Sequence, residues 1–266
     1  MVEVIREALK LVRKKRPLVH NITNFVVMNS TANALLAIGA SPVMAHAQEE
    51  LEEMIGIADS VVINIGTLDK FWIDSMIKAT KVANDLNKPI VLDPVGAGAT
   101  RLRTETALKI LELGVTVLRG NFGEISALLG EHGKTRGVDS AEYNEEKAKE
   151  LALKAAEEFS TVVAVTGKVD YVSDGKRVYA VYNGHEMLGR VTGTGCMVSA
   201  ITGAFIAVVE PLIGAVSAIA TFGIAAEKAY EEAKTPGSFH VRLYDWLYLL
   251  KPEDVEKLAR VREIEL

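Results

Sequence analysis

Short apolar, β-branched runs alternate along the chain with longer stretches whose apolar positions recur at helical spacing. The short runs are residues 18–20, 42–45, 60–65, 89–92, 115–118 and 161–165. The longer stretches, 26–38, 48–56, 69–87, 104–113 and 140–159, have the length of crossover helices between parallel strands. Val61-Val62-Ile63 and Ile90-Val91-Leu92 are continuously apolar rather than alternating, as strands covered on both faces should be. The pattern therefore predicts an α/β architecture with helices on both sides of a parallel sheet. Residues 171–173 and 176–182, joined through Asp174-Gly175, read as a β-hairpin extending one edge. Beyond the hairpin the pattern is helical to the end.

The most apolar stretch, 197–226, is interrupted at Glu210-Pro211 and dotted with Gly203, Gly214 and Gly223, so it predicts two buried helices rather than a membrane span. The first sixteen residues are too charged for a secretory leader; Lys14-Lys15-Arg16 suits the negative end of an amphipathic helix. Neither repeat nor linker divides the chain, and residues 1–266 are expected to form a single domain.

Charge and cysteine usage then remove several function classes. With 49% hydrophobic and 24% charged residues and a net charge of −5, the chain has no basic excess for nucleic acid or an acidic membrane surface. A single cysteine excludes an internal disulfide and a cysteine zinc cage, and fits the reducing cytoplasm. The five histidines show no zinc-binding spacing.

An open α/β sheet binds ligands beyond the carboxyl ends of its strands. The residues just past the expected strands are polar and glycine-rich: His20-Asn21-Ile22-Thr23-Asn24, Asn64-Ile65-Gly66-Thr67, Asp93-Pro94-Val95-Gly96-Ala97-Gly98, Arg119-Gly120-Asn121-Phe122-Gly123-Glu124 and Thr166-Gly167-Lys168. Asp93 and Glu124 are hard oxygen donors suited to Mg²⁺, and Arg119 could clamp a phosphate. Each also has a structural reading: Asp93 before Pro94 opens a turn, Glu124 sits in the first turn of a helix, and Arg119 is a surface charge. Val191-Thr192-Gly193-Thr194-Gly195-Cys196 opens the apolar run. Its glycines permit close backbone approach, and the following helix start offers free N–H groups to an anion. Two look-alikes fail. Gly133-Lys134-Thr135 would place the first Walker glycine at Leu128, inside an apolar helical run, and Gly193-x-Gly195 lacks the third Rossmann glycine at Val198.

Together, the 191–196 turn, Asp93-Pro94-Val95-Gly96-Ala97-Gly98, Arg119-Gly120-Asn121-x-x-Glu124 and the segment from His20 to Asn29 resemble the hydroxyethylthiazole kinases, thiamine-salvage enzymes of the ribokinase-like superfamily. The resemblance spans almost the whole chain. It implies a ribokinase-like three-layer sandwich with a mostly parallel central sheet and an all-helical C-terminal part. It also implies transfer of the ATP γ-phosphoryl group to the primary hydroxyl of 4-methyl-5-(2-hydroxyethyl)thiazole, with Mg²⁺ as cofactor. On this resemblance Met44, Gly193, Gly195 and Asn24 bind the thiazole, Arg119 and Thr166 contact ATP, and Asp93 with Glu124 belong to the metal and phosphate region. Cys196 stands where many ribokinase-like enzymes carry the aspartate base, and is expected to contact the acceptor hydroxyl. A thiol there would be mostly protonated, and the helix N-terminus would lower its pKa. The resemblance further implies a homotrimer with active sites between subunits. Two other readings remain at this stage: a dehydratase of the same fold acting on hydrated nicotinamide cofactor, and a nucleotide-sensing protein without turnover.

Overall fold

The computed structural model describes residues 1–130 and 144–265. Gly133-Lys134-Thr135 and the expected helix start at 140–143 lie outside the described residues. The strands are β1 (Leu18–Ile22), β2 (Ser41–Met44), β3 (Ser60–Asn64), β4 (Ile90–Asp93), β5 (Val117–Asn121), β6 (Val162–Thr166), β7 (Asp170–Ser173), β8 (Val178–Val181) and β9 (Val261–Ile264). They form one sheet in the order β2-β1-β3-β4-β5-β6-β7-β8-β9. From β2 through β6 every pairing is parallel, and from β6 to β9 every pairing is antiparallel.

Successive side chains of a strand point to opposite faces, so each central strand feeds two cores. Val62, Val91 and Val117 face one core; Val61, Ile63, Ile90, Leu92 and Leu118 face the other. The first is covered by α1 (Val2–Lys15), α2 (Met28–Ile38), α8 (Thr194–Ile206), α9 (Pro211–Glu232), α10 (Pro236–Leu249) and α11 (Pro252–Leu258). The second is covered by α3 (Leu51–Ile57), α4 (Lys70–Asp85), α5 (Arg101–Glu112), α6 (Phe122–Leu128) and α7 (Glu145–Phe159). The result is the expected α/β/α sandwich. The two apolar helices expected from 197–226 are α8 and α9, separated at Glu210, whose side chain accepts from Leu212 N–H ahead of Pro211 in the first turn. By length and composition α9 could cross a membrane, yet 83% of its most apolar 18-residue stretch is buried inside the protein.

The expectation that the chain stays helical after the hairpin is corrected at its end. β9 pairs antiparallel with β8, in the register Val178↔Ile264. Its sequence, Val261-Arg262-Glu263-Ile264, is too short and too charged to announce a strand; both charged residues are exposed, as on an edge that resists further pairing.

Candidate active site

The parallel strands end side by side, and their last residues meet. β3 and β4 pair Asn64 with Asp93, and β5 and β6 pair Asn121 with Thr166. Helix α8 then lays its first two turns across these ends.

Asp93 is 1% exposed. Its Oδ2 accepts from Ser199 Oγ at 2.6 Å and from Asn64 Nδ2 at 3.2 Å, and lies 3.8 Å from Arg119 Nη1. Its Oδ1 is buried and has no hydrogen-bond partner among the described residues. Burial raises the Asp93 pKa, against the pull of the Arg119 charge and the bonds from Ser199 and Asn64. Asn64 Oδ1 in turn accepts from Asn24 Nδ2 at 2.8 Å and from Gly66 N–H at 3.0 Å. Asn24 Nδ2 lies 3.7 Å from Cys196 Sγ. A continuous polar chain therefore runs from Cys196 through Asn24, Asn64 and Asp93 to Ser199. Asn64 lies in one of the polar strand ends but carries no role-specific motif, and Ser199 inside an apolar helix has no local signal; only the folded register brings both to Asp93.

Arg119 is no surface charge. Its side chain is 12% exposed, and Nη2 donates to Thr166 Oγ1 at 2.8 Å. Gly195 lies directly over the guanidinium; a Cβ there would come within 2.9 Å of Nη1. Gly193 needs its freedom for another reason. Its φ is +85°, and a Cβ would meet Val27 at 2.7 Å. With Gly193 as N-cap and no side-chain cap, the first N–H groups of α8 have no intrahelical partners. Thr194 Oγ1 fixes the approach by donating to Leu188 O at 2.9 Å.

Glu124 realises the structural reading and keeps the functional one open. Its Oε2 accepts from Asn121 N–H at 2.9 Å while Asn121 Oδ1 accepts from Glu124 N–H at 2.9 Å, a reciprocal capping box at the start of α6. Oε1 accepts from Gly96 N–H at 2.8 Å, tying the loop after β4 to the loop after β5. Burial, and then the Asp93 charge, raise its pKa. Arg103, which the sequence does not advertise, clamps the loops after β3 and β4 by donating to Gly66 O and Val95 O, each at 2.7 Å.

The thiol corrects an expectation. Burial, followed by the Asp93 charge, pushes the Cys196 pKa up to about 12, opposite to the lowering expected at a helix N-terminus. Helix dipole effects amount to about 1 kcal/mol or less at exposed termini, and desolvation outweighs that.

Beside this centre opens a cavity of about 1060 Å³, walled by Arg119, Glu124, Thr166, Gly195, Asp170 and the segment from Tyr182 to Glu186. Asp170, which accepts from Gly167 N–H at 2.8 Å, has its carboxyl raised by desolvation to about 7. Met44, Asn24, Gly193 and Cys196 lie outside this cavity. Met44 ends the edge strand β2, paired with Asn21, and is the assigned residue farthest out along the sheet.

The model of the hydroxyethylthiazole kinase family matches residues 9–253. The chain belongs to the hydroxyethylthiazole kinase family. Its relatives include proteins named hydroxyethylthiazole kinase from Pyrococcus furiosus, 74% identical over 98% of this chain and 99% of that protein, and from Methanococcus vannielii, 62% identical over 98% and 99%. The solved structure of a hydroxyethylthiazole kinase protein from Pyrococcus horikoshii covers 98% of this chain and 99% of its own, with 70% identity and a TM-score of 0.93. A pyridoxal kinase from Staphylococcus aureus in complex with ADP covers 80% of this chain and 88% of its own, at 20% identity and a TM-score of 0.62, which shows the shared ribokinase-like fold. Family membership makes this chain a phosphotransferase, a kinase acting on an alcohol group.

Proposed function

We propose that this kinase transfers the γ-phosphoryl group of ATP to the primary hydroxyl of 4-methyl-5-(2-hydroxyethyl)thiazole, supplying thiazole phosphate for thiamine. One observation carries the reading: the N-terminus of α8, which has no side-chain cap and has Arg119 beneath Gly195, sits between an open cavity large enough for a nucleotide and the polar chain that ends at Cys196. Phosphoryl transfer passes through a loose, highly charged transition state, so positioning and charge neutralisation dominate. Arg119, held by Thr166, would receive phosphate charge on the cavity side. The N–H groups of Thr194, Gly195 and Cys196 would cradle the group in flight as preorganised donors.

Mg²⁺ fits the donors present. The partnerless Oδ1 of Asp93 and the carboxylate of Glu124, whose oxygens each hold a single backbone N–H, are hard ligands of the kind that bind Mg²⁺ through one or two carboxylates and water. Bound there, the ion would neutralise phosphate charge. The Cys196 thiol stays protonated, so its part is contact with the acceptor hydroxyl beside Asn24, and the anion hole contributes more to the rate.

Met44, Asn24, Gly193 and Gly195 form the acceptor side in this reading. Phe25 and Val26, next to Asn24, are 61% and 64% exposed. That apolar exposure supports a homotrimer with the acceptor sites between subunits, and the lone free cysteine fits a cytoplasmic enzyme. A fully active monomer in light scattering would overturn the shared site. A coupled assay tests the function itself: ADP release that depends on hydroxyethylthiazole supports it. Release that depends on hydrated nicotinamide cofactor points to the dehydratase, and ATP binding without turnover to a sensor.

A further inference from the structure

Strand β8 ends at Val181, and the next five residues, Tyr182 to Glu186, form one wall of the cavity. Past Tyr182 the sheet does not hold them. Glu227 of α9 does: its carboxylate accepts from Gly184 N–H at 2.8 Å and from Asn183 Nδ2 at 3.3 Å, and pairs with Arg260 at 2.8 Å. One turn earlier on the same helix face, Gly223 meets the Asn183 backbone, where a Cβ would come within 2.6 Å of its carbonyl. One turn later, the Tyr230 ring stacks on His185 with centroids 3.6 Å apart, and Lys234 Nζ lies 3.9 Å from that ring on its way past the helix end. Arg260 closes the arrangement from the C-terminal segment. It exchanges bonds with Tyr182, whose N–H donates to Arg260 O at 2.9 Å and whose carbonyl accepts from Nη2 at 2.8 Å, and its own N–H donates to Asn183 Oδ1 at 2.7 Å. Residues 223, 227 and 230 share one stripe of α9, since a helix returns to the same face every three or four residues.

We propose that this stripe, centred on Glu227 and locked by Arg260, is a clamp that positions the nucleotide-facing wall, making Glu227 a positioning residue for ATP affinity. The proposal rests on the cavity being the ATP site. Glu227 touches no reacting group; it holds the Gly184 backbone and the Asn183 side chain directly, and the Tyr182 backbone through Arg260, in the wall against which a nucleotide would lie, so its loss loosens ATP without disturbing the acceptor side. The clamp also gives β9 and its lead-in a task, because Arg260 stands immediately before that strand.

The test is steady-state kinetics of the full chain with each substrate varied, alongside thermal melting. Glu227→Ala should raise the KM for ATP about tenfold, with kcat and the thiazole KM within about twofold, the split expected when only ground-state nucleotide binding is lost. Glu227→Gln retains an acceptor for Gly184 N–H and should recover part of that loss. If Glu227→Ala fails to fold, Arg260→Met and Tyr230→Leu carry the same expectation at smaller size. Thr166→Val, inside the cavity, reports separately on the ATP site. If it raises the ATP KM while the clamp variants merely lower the melting temperature, the clamp is wrong. If neither Thr166→Val nor the clamp variants move the ATP KM, the cavity is not the nucleotide site and the clamp falls with it.

Discussion

The two sides of the centre are built differently. The cavity side is concave, charged and internally tied: Arg119 is held by Thr166, Glu124 ties two loops together, and α9 braces the far wall. The side proposed for the acceptor lies toward the edge strand β2. The groups proposed for it are neutral, Asn24, Met44 and Cys196, whose thiol burial keeps protonated, and Phe25 and Val26 next to Asn24 are exposed. The difference suits the two substrates. A polyanion needs fixed donors and a desolvated cage, whereas a small neutral alcohol needs shape and a few dipoles, which a neighbouring surface can help supply.

The largest effect should come from the residue where the two sides touch. Gly195→Ala would drive Arg119 out of place, and kcat/KM should fall about a hundredfold, the size seen when a preorganised donor is lost; a variant with wild-type kinetics would mean that the guanidinium is not set by this glycine. Next, Phe25→Ser with Val26→Ser should raise the thiazole KM about tenfold and weaken the proposed trimer in light scattering, while ATP affinity measured by calorimetry stays put. An equal loss of ATP affinity would erase the distinction between the sides. Glu124→Gln should shift the Mg²⁺ requirement upward a few-fold and, through the weakened capping box, cost about 1 kcal/mol in denaturant unfolding. An unchanged Mg²⁺ titration removes Glu124 from the metal site.

Smaller effects test the chemistry of single groups. With its pKa pushed up to about 12, Cys196 is thiolate in only about one molecule in ten thousand at pH 8, so iodoacetamide should alkylate it slowly from pH 7 to 9. Cys196→Ala should lower kcat by no more than about fivefold, and Cys196→Asp should match or exceed wild type if a carboxylate takes the proton more readily. Rapid alkylation, or a pH-rate limb lost in Cys196→Ala, would restore the thiol as base. Last, Asp170 has a folded pKa raised to about 7 from an ordinary 3.8. Its contribution to stability is full below pH 3.8 and is lost as pH rises through 7, because the unfolded chain ionises first. Asp170→Asn should therefore gain melting temperature relative to wild type as pH rises from 4 to 8; a difference flat across that range would contradict the raised pKa.

The polar strand ends were legible because each follows an apolar run of strand length, and the fold places all five at one edge. Gly193 and Gly195 were legible as a turn, and their separate reasons, a positive φ at one and the guanidinium at the other, came only with the neighbours. Asn64, Ser199, Arg103 and Glu227 were not read as site-building residues. The partners lie 29 residues apart for Asn64 and Asp93, 106 for Ser199 and Asp93, 37 for Arg103 and Gly66, and 43 for Glu227 and Gly184.

By itself the sequence determined the βα order, the burial of the central strands, the glycine turn before α8 and the family. These depend on periodicity, on backbone freedom and on short motifs, all of which are local. The tertiary structure decided which way the Cys196 pKa moves, that Glu124 is both a cap and a candidate ligand, that β9 closes the edge, and that α9 braces the cavity wall. Those depend on desolvation and long-range pairing, and a group's solvent and partners are settled only when distant segments pack against it.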